Sequence, residues 1–237
     1  MLHTAIILAG GFGTRLQSVF TDLPKPLAPV NGIPFLDYLL RYLKHFGLKK
    51  IILSVGYLSE KIEAHYHSLF NGLEIFYAEE KIPMGTGGGI RLALETCDEK
   101  DVLVLNGDSF FDMDLEDFFK NHISSAAAFS LALRQVQHAG RYGTIKKNND
   151  DKIISFEEKN GIDQSGFINA GVYVLNKELF LKNTPAEKNF SIEKDFFEKK
   201  LDNFNMKGFE FEGYFIDIGV PEDYHKAQHD FKGFKYK

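Results

Sequence analysis

The run Ala5-Ile6-Ile7-Leu8-Ala9 has no polar interruption. A segment apolar on both faces predicts a strand buried inside a parallel sheet rather than one with a wet side. Two further segments carry the same signature, Lys50-Ile51-Ile52-Leu53-Ser54-Val55-Gly56 and Asp101-Val102-Leu103-Val104-Leu105-Asn106. Between them the period changes. Phe35, Leu36, Leu39, Leu40, Leu43 and Phe46 recur at helical spacing with Arg41, Lys44 and His45 interspersed, and Pro34 and Gly47 punctuate the two ends. A helix is predicted over 59–70, a strand over 73–77 and, after the glycine run 85–89, a helix over 90–96. That alternation implies βαβ crossovers.

From Ala126 onward the character shifts toward strands. Asn148-Asn149-Asp150-Asp151 reads as the turn of a hairpin joining 143–146 to 152–156. A strand over 167–175, a helix over 192–201 capped by Ser191 and a late strand over 214–218 follow, and the tail 231–237 is expected to fray. The predicted fold class is α/β: a Rossmann-like, mostly parallel sheet flanked by helices, with antiparallel strands added in the second half.

Composition narrows this picture only a little. A chain of 237 residues can bury one large core, so a single domain over 1–237 is expected. The net charge of -5 leaves no basic stripe for a nucleic-acid backbone. Cys97 has no second cysteine to pair with, which fits a reducing, cytoplasmic compartment. No basic region precedes the first apolar run, and no stretch of about eighteen apolar residues could cross a bilayer. Neither a nucleic acid nor a membrane is an expected partner, and the sequence does not disclose an oligomeric state.

The chemistry starts directly after the first strand. In Leu8-Ala9-Gly10-Gly11-Phe12-Gly13-Thr14-Arg15-Leu16 the bare glycines let backbone N–H groups face a phosphate, and Arg15 adds a permanent forked cation. No Gly-Lys-Ser/Thr closes a Walker A loop, and Leu16 stands where a dinucleotide fingerprint needs its third glycine. Alone, the segment also admits the reading of a turn that joins strand to helix. Pro24-Lys25-Pro26-Leu27 then holds a lysine between two prolines that fix the backbone, which suits a stiff phosphate clamp or a plain surface turn. Asp108 closes an apolar strand, and that edge of an open α/β sheet is where ligands bind.

Taken together, these motifs resemble the signature of sugar-1-phosphate nucleotidyltransferases. The likeness continues through Gly85-Thr86-Gly87-Gly88-Gly89, Asn106-Gly107-Asp108-Ser109, Glu158-Lys159, Asn169-Ala170-Gly171-Val172-Tyr173 and Asp217-Ile218-Gly219-Val220-Pro221-Glu222-Asp223-Tyr224, so it spans nearly the whole chain. The resemblance implies a nucleotide site at Leu8, Gly10, Gly11, Gly13, Thr14, Arg15, Lys25, Gly85, Thr86, Gly87 and Gly88. It places Arg15, Lys25 and Asp108 in catalysis and Mg²⁺ on Asp108 and Asp217. Sugar-phosphate contacts are implied at Asn106, Gly143, Glu158, Lys159, Asn169 and Glu193. Relatives often carry alanine in the run where Gly87, Gly88 and Gly89 are all bare here, which suggests room for a larger base. Relatives often have Thr at the position of Val220, so any hydroxyl contact made there is missing.

Within the family, the stretch 20–30, the glycine run and the short length look like D-glycero-α-D-manno-heptose 1-phosphate guanylyltransferases, which make GDP-heptose for surface glycans. The implied substrates are a nucleoside triphosphate, GTP first, and a sugar 1-phosphate, with pyrophosphate released. Uridylyl, thymidylyl or cytidylyl transfer to another sugar phosphate is the enzymatic alternative. A non-catalytic nucleotide-binding regulator is the contrasting one.

Overall fold

The protein is described by a computed structural model that covers residues 3–11, 23–140, 142–157 and 164–236. The chain enters as β1 (Thr4–Leu8), forms a small hairpin from β2 (Pro29–Val30) and β3 (Ile33–Pro34), and continues as α1 (Phe35–His45). β4 (Lys50–Val55), α2 (Ser59–Tyr66), β5 (Leu69–Phe70), β6 (Leu73–Glu79), α3 (Gly85–Glu95) and β7 (Asp101–Asn106) follow. Next come β8 (Ser109–Phe111), α4 (Leu115–Ser124), β9 (Phe129–Val136), β10 (Thr144–Lys147), β11 (Ile153–Glu157), β12 (Gly166–Asn176) and α5 (Lys177–Asn183). A π-helical stretch, Ile192–Phe197, runs into the short α6 (Glu198–Lys200), and β13 (Met206–Glu210), β14 (Phe215–Asp217) and α7 (Pro221–Asp230) complete the order.

The main sheet runs β11-β10-β12-β7-β1-β4-β6-β5, with β9 also on β12 and β13 on β9. Its centre, β7-β1-β4-β6, is parallel, whereas β12 joins β7 antiparallel and begins the second-half strands. The unbroken apolar runs are explained by two cores. Ile6, Ile52 and Val104 face one that holds Ala93 and Phe196, while Ile7, Leu53 and Leu105 face another that holds Leu39 and Leu43 of α1. Each such side chain contributes about 1.5–3 kcal/mol on burial. Because β1, β4, β6 and β7 are parallel, the loops at their C-terminal ends meet along one edge of the sheet.

Four expectations are corrected. The helix over 59–70 stops at Tyr66, because His67 has a φ of 49° and Leu69–Phe70 folds back on β6. The turn that does this is Asn71-Gly72, at φ 49° and 85°, the residue pair that a tight hairpin favours. The helix expected from Ile90 starts at Gly85. Ser191 does cap its helix, accepting the Lys194 N–H at 3.2 Å, but the first turns wind as a π-helix. The tail does not fray through Tyr236: Phe231 and Tyr236 are buried, and the Tyr236 hydroxyl donates to Asp112 Oδ1. α4 was not foreseen; Asp114 caps it by accepting the Asp117 N–H at 3.0 Å. Among the described residues no helix is long and apolar enough to cross a membrane.

Candidate active site

The converging loops enclose a cleft of about 470 Å³. Leu8, Gly10 and Gly11 come from the end of β1, Gly56 and Tyr57 from the end of β4, Glu80 to Pro83 from the end of β6, and Gly85 and Thr86 from the start of α3. A smaller cavity of about 150 Å³ shares Leu8, Gly11 and Thr86 with it and adds Lys25, Asn106 and Asp108. The two therefore form one continuous channel. Gly11 lines both, and a methyl group there would meet no atom of the described residues within 4 Å.

Asp108 and Asp217 are 109 positions apart in sequence and are brought together by a two-stranded ladder. β14 pairs antiparallel with β8 so that Asp217 faces Ser109, and the Ile218 N–H donates to the Asp108 carbonyl at 2.9 Å. Lys25 reaches the same point. Its Nζ ion-pairs with Asp108 Oδ2, and both Nζ and Asp217 Oδ1 lie within 2.7 Å of the place where a Gly219 Cβ would sit. The Gly219 N–H holds Asp217 Oδ1 at 2.7 Å. Burial pushes the Asp217 carboxyl above its usual range and the Asp108 charge pushes the same way, while Lys25 and the Gly219 N–H oppose them. Two carboxylates under this mutual repulsion form a hard-oxygen pair that a dication would relieve. Among the described residues no group of three or more such ligands gathers.

Asn106 lines the smaller cavity with a buried Oδ1 that has no hydrogen-bond partner among the described residues. An acceptor left in this way costs about 1–3 kcal/mol until a donor reaches it. Its neighbour across the sheet is Gly171, at φ 72°, where a Cβ would come within 2.5 Å of Asn106 Nδ2 and 3.0 Å of Ser109 Oγ. The irregularity of β12 between Asn169 and Tyr173 is located here. Asn169 Nδ2 donates to the Tyr173 hydroxyl at 2.9 Å, which donates to Glu193 Oε1 at 3.1 Å. Glu193 Oε2 accepts from Ser191 at 2.8 Å and from Thr86 at 3.1 Å. Asn169 and Glu193, two of the residues expected at the sugar phosphate, are thus wired to each other through Tyr173 and to the cleft through Thr86.

Gly87 and Gly88 do not open onto the cleft. They are buried in the first turns of α3 with Gly89. A methyl at Gly87 would sit 2.1 Å from the Phe190 ring, at Gly88 2.6 Å from Met84 Cβ, and at Gly89 2.6 Å from Ser54 Oγ. The glycines are bare because the protein's own side chains and backbone fill the space, and the idea of room left for a base is corrected accordingly. Gly143 precedes β10, with the Glu157 carbonyl 3.0 Å from where its Cβ would be. Gly13, Thr14, Arg15, Glu158 and Lys159 lie outside the described residues.

Three residues near the site were missed in the sequence. Glu80 follows β6, walls the cleft, and accepts the Met84 N–H at 2.8 Å and the Ser54 hydroxyl at 3.3 Å; burial raises its pKa and those two bonds oppose the rise. An acidic residue at a strand's C-terminal end beside a glycine run was the available signal. Tyr173 was quoted only as part of a motif. His138, outside every motif quoted above, shares with Tyr142 and Asp217 a depression of about 450 Å³.

At this edge of the sheet a lysine and two carboxylates converge beside an open cleft. The chain belongs to the nucleotidyl transferase family, which matches residues 4–232. It is 44% identical over 230 residues to a D-glycero-α-D-manno-heptose 1-phosphate guanylyltransferase of Aneurinibacillus thermoaerophilus, covering 97% of this chain and 99% of that one. It is 32% identical to a mannose-1-phosphate guanylyltransferase of Mycobacterium tuberculosis, covering 95% of this chain and 64% of the relative. Among solved structures it is similar to HddC from Yersinia pseudotuberculosis complexed with GMP-PN, with a TM-score of 0.85, 36% identity and coverage of 98% and 100%.

Proposed function

We propose that this enzyme transfers the GMP unit of GTP to D-glycero-α-D-manno-heptose 1-phosphate, releasing pyrophosphate and forming GDP-heptose for surface glycans. The observation that carries the reading is the meeting of Lys25, Asp108 and Asp217 at the end of a channel whose other end is walled by Glu80. A nucleotide laid along this channel has its base beside Glu80, its ribose near Thr86 and Asn106, and its phosphates against Gly11 and Lys25. Guanine suits the carboxylate because its N1–H and N2–H₂ form two adjacent donors, a pattern that adenine, cytosine and uracil lack. The heptose and guanine assignments are further supported by the relative that shares 44% identity over nearly both full lengths.

In the reaction a sugar-phosphate oxygen forms a bond to the α-phosphorus, the bond from that phosphorus to the bridging oxygen breaks, and its electron pair leaves with pyrophosphate. The attacking oxygen is already anionic, so no protein base is needed; positioning and charge compensation carry the catalysis. Lys25 offsets the repulsion between the two polyanions, and Arg15 and Lys159 serve the same purpose on the triphosphate and the sugar phosphate. Asn169 and Glu193, fixed by Tyr173, orient sugar hydroxyls. Asp108 and Asp217 would hold Mg²⁺, which would supply charge neutralisation for the phosphates. GTP supply and the lone Cys97 support a cytoplasmic location. The test is pyrophosphate release over four nucleoside triphosphates, each with heptose 1-phosphate and mannose 1-phosphate. GTP with the heptose is expected to give the highest kcat/KM, and a different nucleotide leading with both sugars overturns the guanylyl assignment.

A further inference from the structure

Lys25 and the metal reading make conflicting demands on one atom. The ammonium ion-pairs with Asp108 Oδ2, and the Lys25 side chain is only 14% exposed, so it has little freedom to sample other positions while the pair holds. Its approach also fills the space beside Gly219, between Asp108 and Asp217, where Lys25 offsets part of the repulsion felt by the second carboxylate. A carboxylate already engaged by an ammonium is a weaker ligand for a dication, since the second cation must displace the first or be held beside a like charge. Pro24 and Pro26 on either side of Lys25 fix the backbone from which it extends, so only the side chain can withdraw.

We propose that Lys25 and the divalent cation compete for Asp108, so that the site takes up its metal together with the nucleotide rather than ahead of it. The phosphate chain entering the channel beside Gly11 is the stronger partner for the ammonium and draws it off Asp108. Both carboxylates are then free for the dication that the phosphates bring with them. Lys25 is in this sense a positioning residue for the metal as well as a phosphate ligand, and a bare dication without nucleotide finds a site already half neutralised. The proposal rests on the reading that Asp108 and Asp217 are the metal ligands.

The test is Mn²⁺ binding to the full chain without nucleotide, followed by the electron paramagnetic resonance signal of the free aquo ion. Lys25→Met is expected to bind Mn²⁺ about tenfold more tightly than the wild type, with Lys25→Gln changing affinity in the same direction as a second variant. In an Asp108→Asn background the same lysine substitution is expected to leave Mn²⁺ binding unchanged. Lysine variants that bind Mn²⁺ no more tightly than the wild type overturn the competition. A gain that persists with Asp108→Asn overturns it too, since the ammonium then acts as a diffuse charge. If Asp108→Asn and Asp217→Asn alone leave Mn²⁺ binding intact, the metal reading itself falls, an outcome distinct from either of the others.

Discussion

Glu80→Gln is the substitution that tests base recognition most sharply. In the structure Glu80 is already oriented, with Oε2 accepting from the Met84 N–H at 2.8 Å and Oε1 from the Ser54 hydroxyl at 3.3 Å. A carboxylate has about four lone-pair sites, so two remain to receive the N1–H and N2–H₂ of guanine. Glutamine can keep one acceptor oxygen on Met84, but its amide then presents N–H against a guanine N–H. The loss is one charge-assisted hydrogen bond, about 1.5–3 kcal/mol, which corresponds to about 10- to 150-fold in kcat/KM with GTP. Inosine triphosphate lacks the 2-amino group, so the wild type should prefer GTP over it and the variant should lose most of that preference. Initial rates of pyrophosphate release with GTP, ITP and ATP measure both effects. Unchanged kcat/KM for GTP in the folded variant, or a wild type that uses ITP as well as GTP, would refute the assignment of Glu80 to the base.

The remaining predictions concern packing, pH and the glycine loop. Gly87→Ala drives a methyl to 2.1 Å from the Phe190 ring; overpacking of about 1–3 kcal/mol, offset by about 1 kcal/mol of helix propensity, should lower the urea midpoint. Gly11→Ala, with no atom of the described residues within 4 Å of the new methyl, should leave that midpoint unchanged yet weaken GTP binding, and equal stability losses in the two variants would contradict the geometry. Burial pushes His122 below its ordinary pKa of 6.5, against the pull of Asp101, while Nδ1 pairs with Ser130 Oγ at 2.8 Å. Below that pH the unfolded chain takes up a proton that the folded one resists, so stability should fall as pH drops through 6.5, and His122→Gln should flatten the loss in urea titrations. Arg15→Ala should lower transfer by about a hundredfold, and a change confined to apparent nucleotide affinity would demote Arg15 to a binding residue.

The strands that carry the site were legible because both faces of each are buried, which leaves an apolar run that no other element of that length explains. Asp108 was singled out because it follows such a strand, and both Asp108 and Asp217 through the family motifs. What could not be read was why they meet: the register of β14 on β8 is a long-range pairing that local periodicity does not encode. The start of α3 was misplaced because each glycine disfavours helix by about 1 kcal/mol, while here close packing against Phe190, Met84 and Ser54 forbids anything larger. Asn71-Gly72 was a hairpin signal in plain view, overridden by the apolar pattern on its N-terminal side. Tyr173 escaped notice because a buried tyrosine in a strand reads as core, and only the hydrogen bonds to Asn169 and Glu193 show its second role.

Lys25, Asp108 and Asp217 are held to act as one transfer centre, and single-turnover GMP transfer in Asp108→Asn, Asp217→Asn and the double variant examines this most directly. If both carboxylates serve one cation, each single change should lower the rate by about a hundredfold or more, and the double variant should be little worse than the poorer single one. Losses that multiply in the double variant, or a folded single variant with near wild-type transfer, would contradict a shared centre.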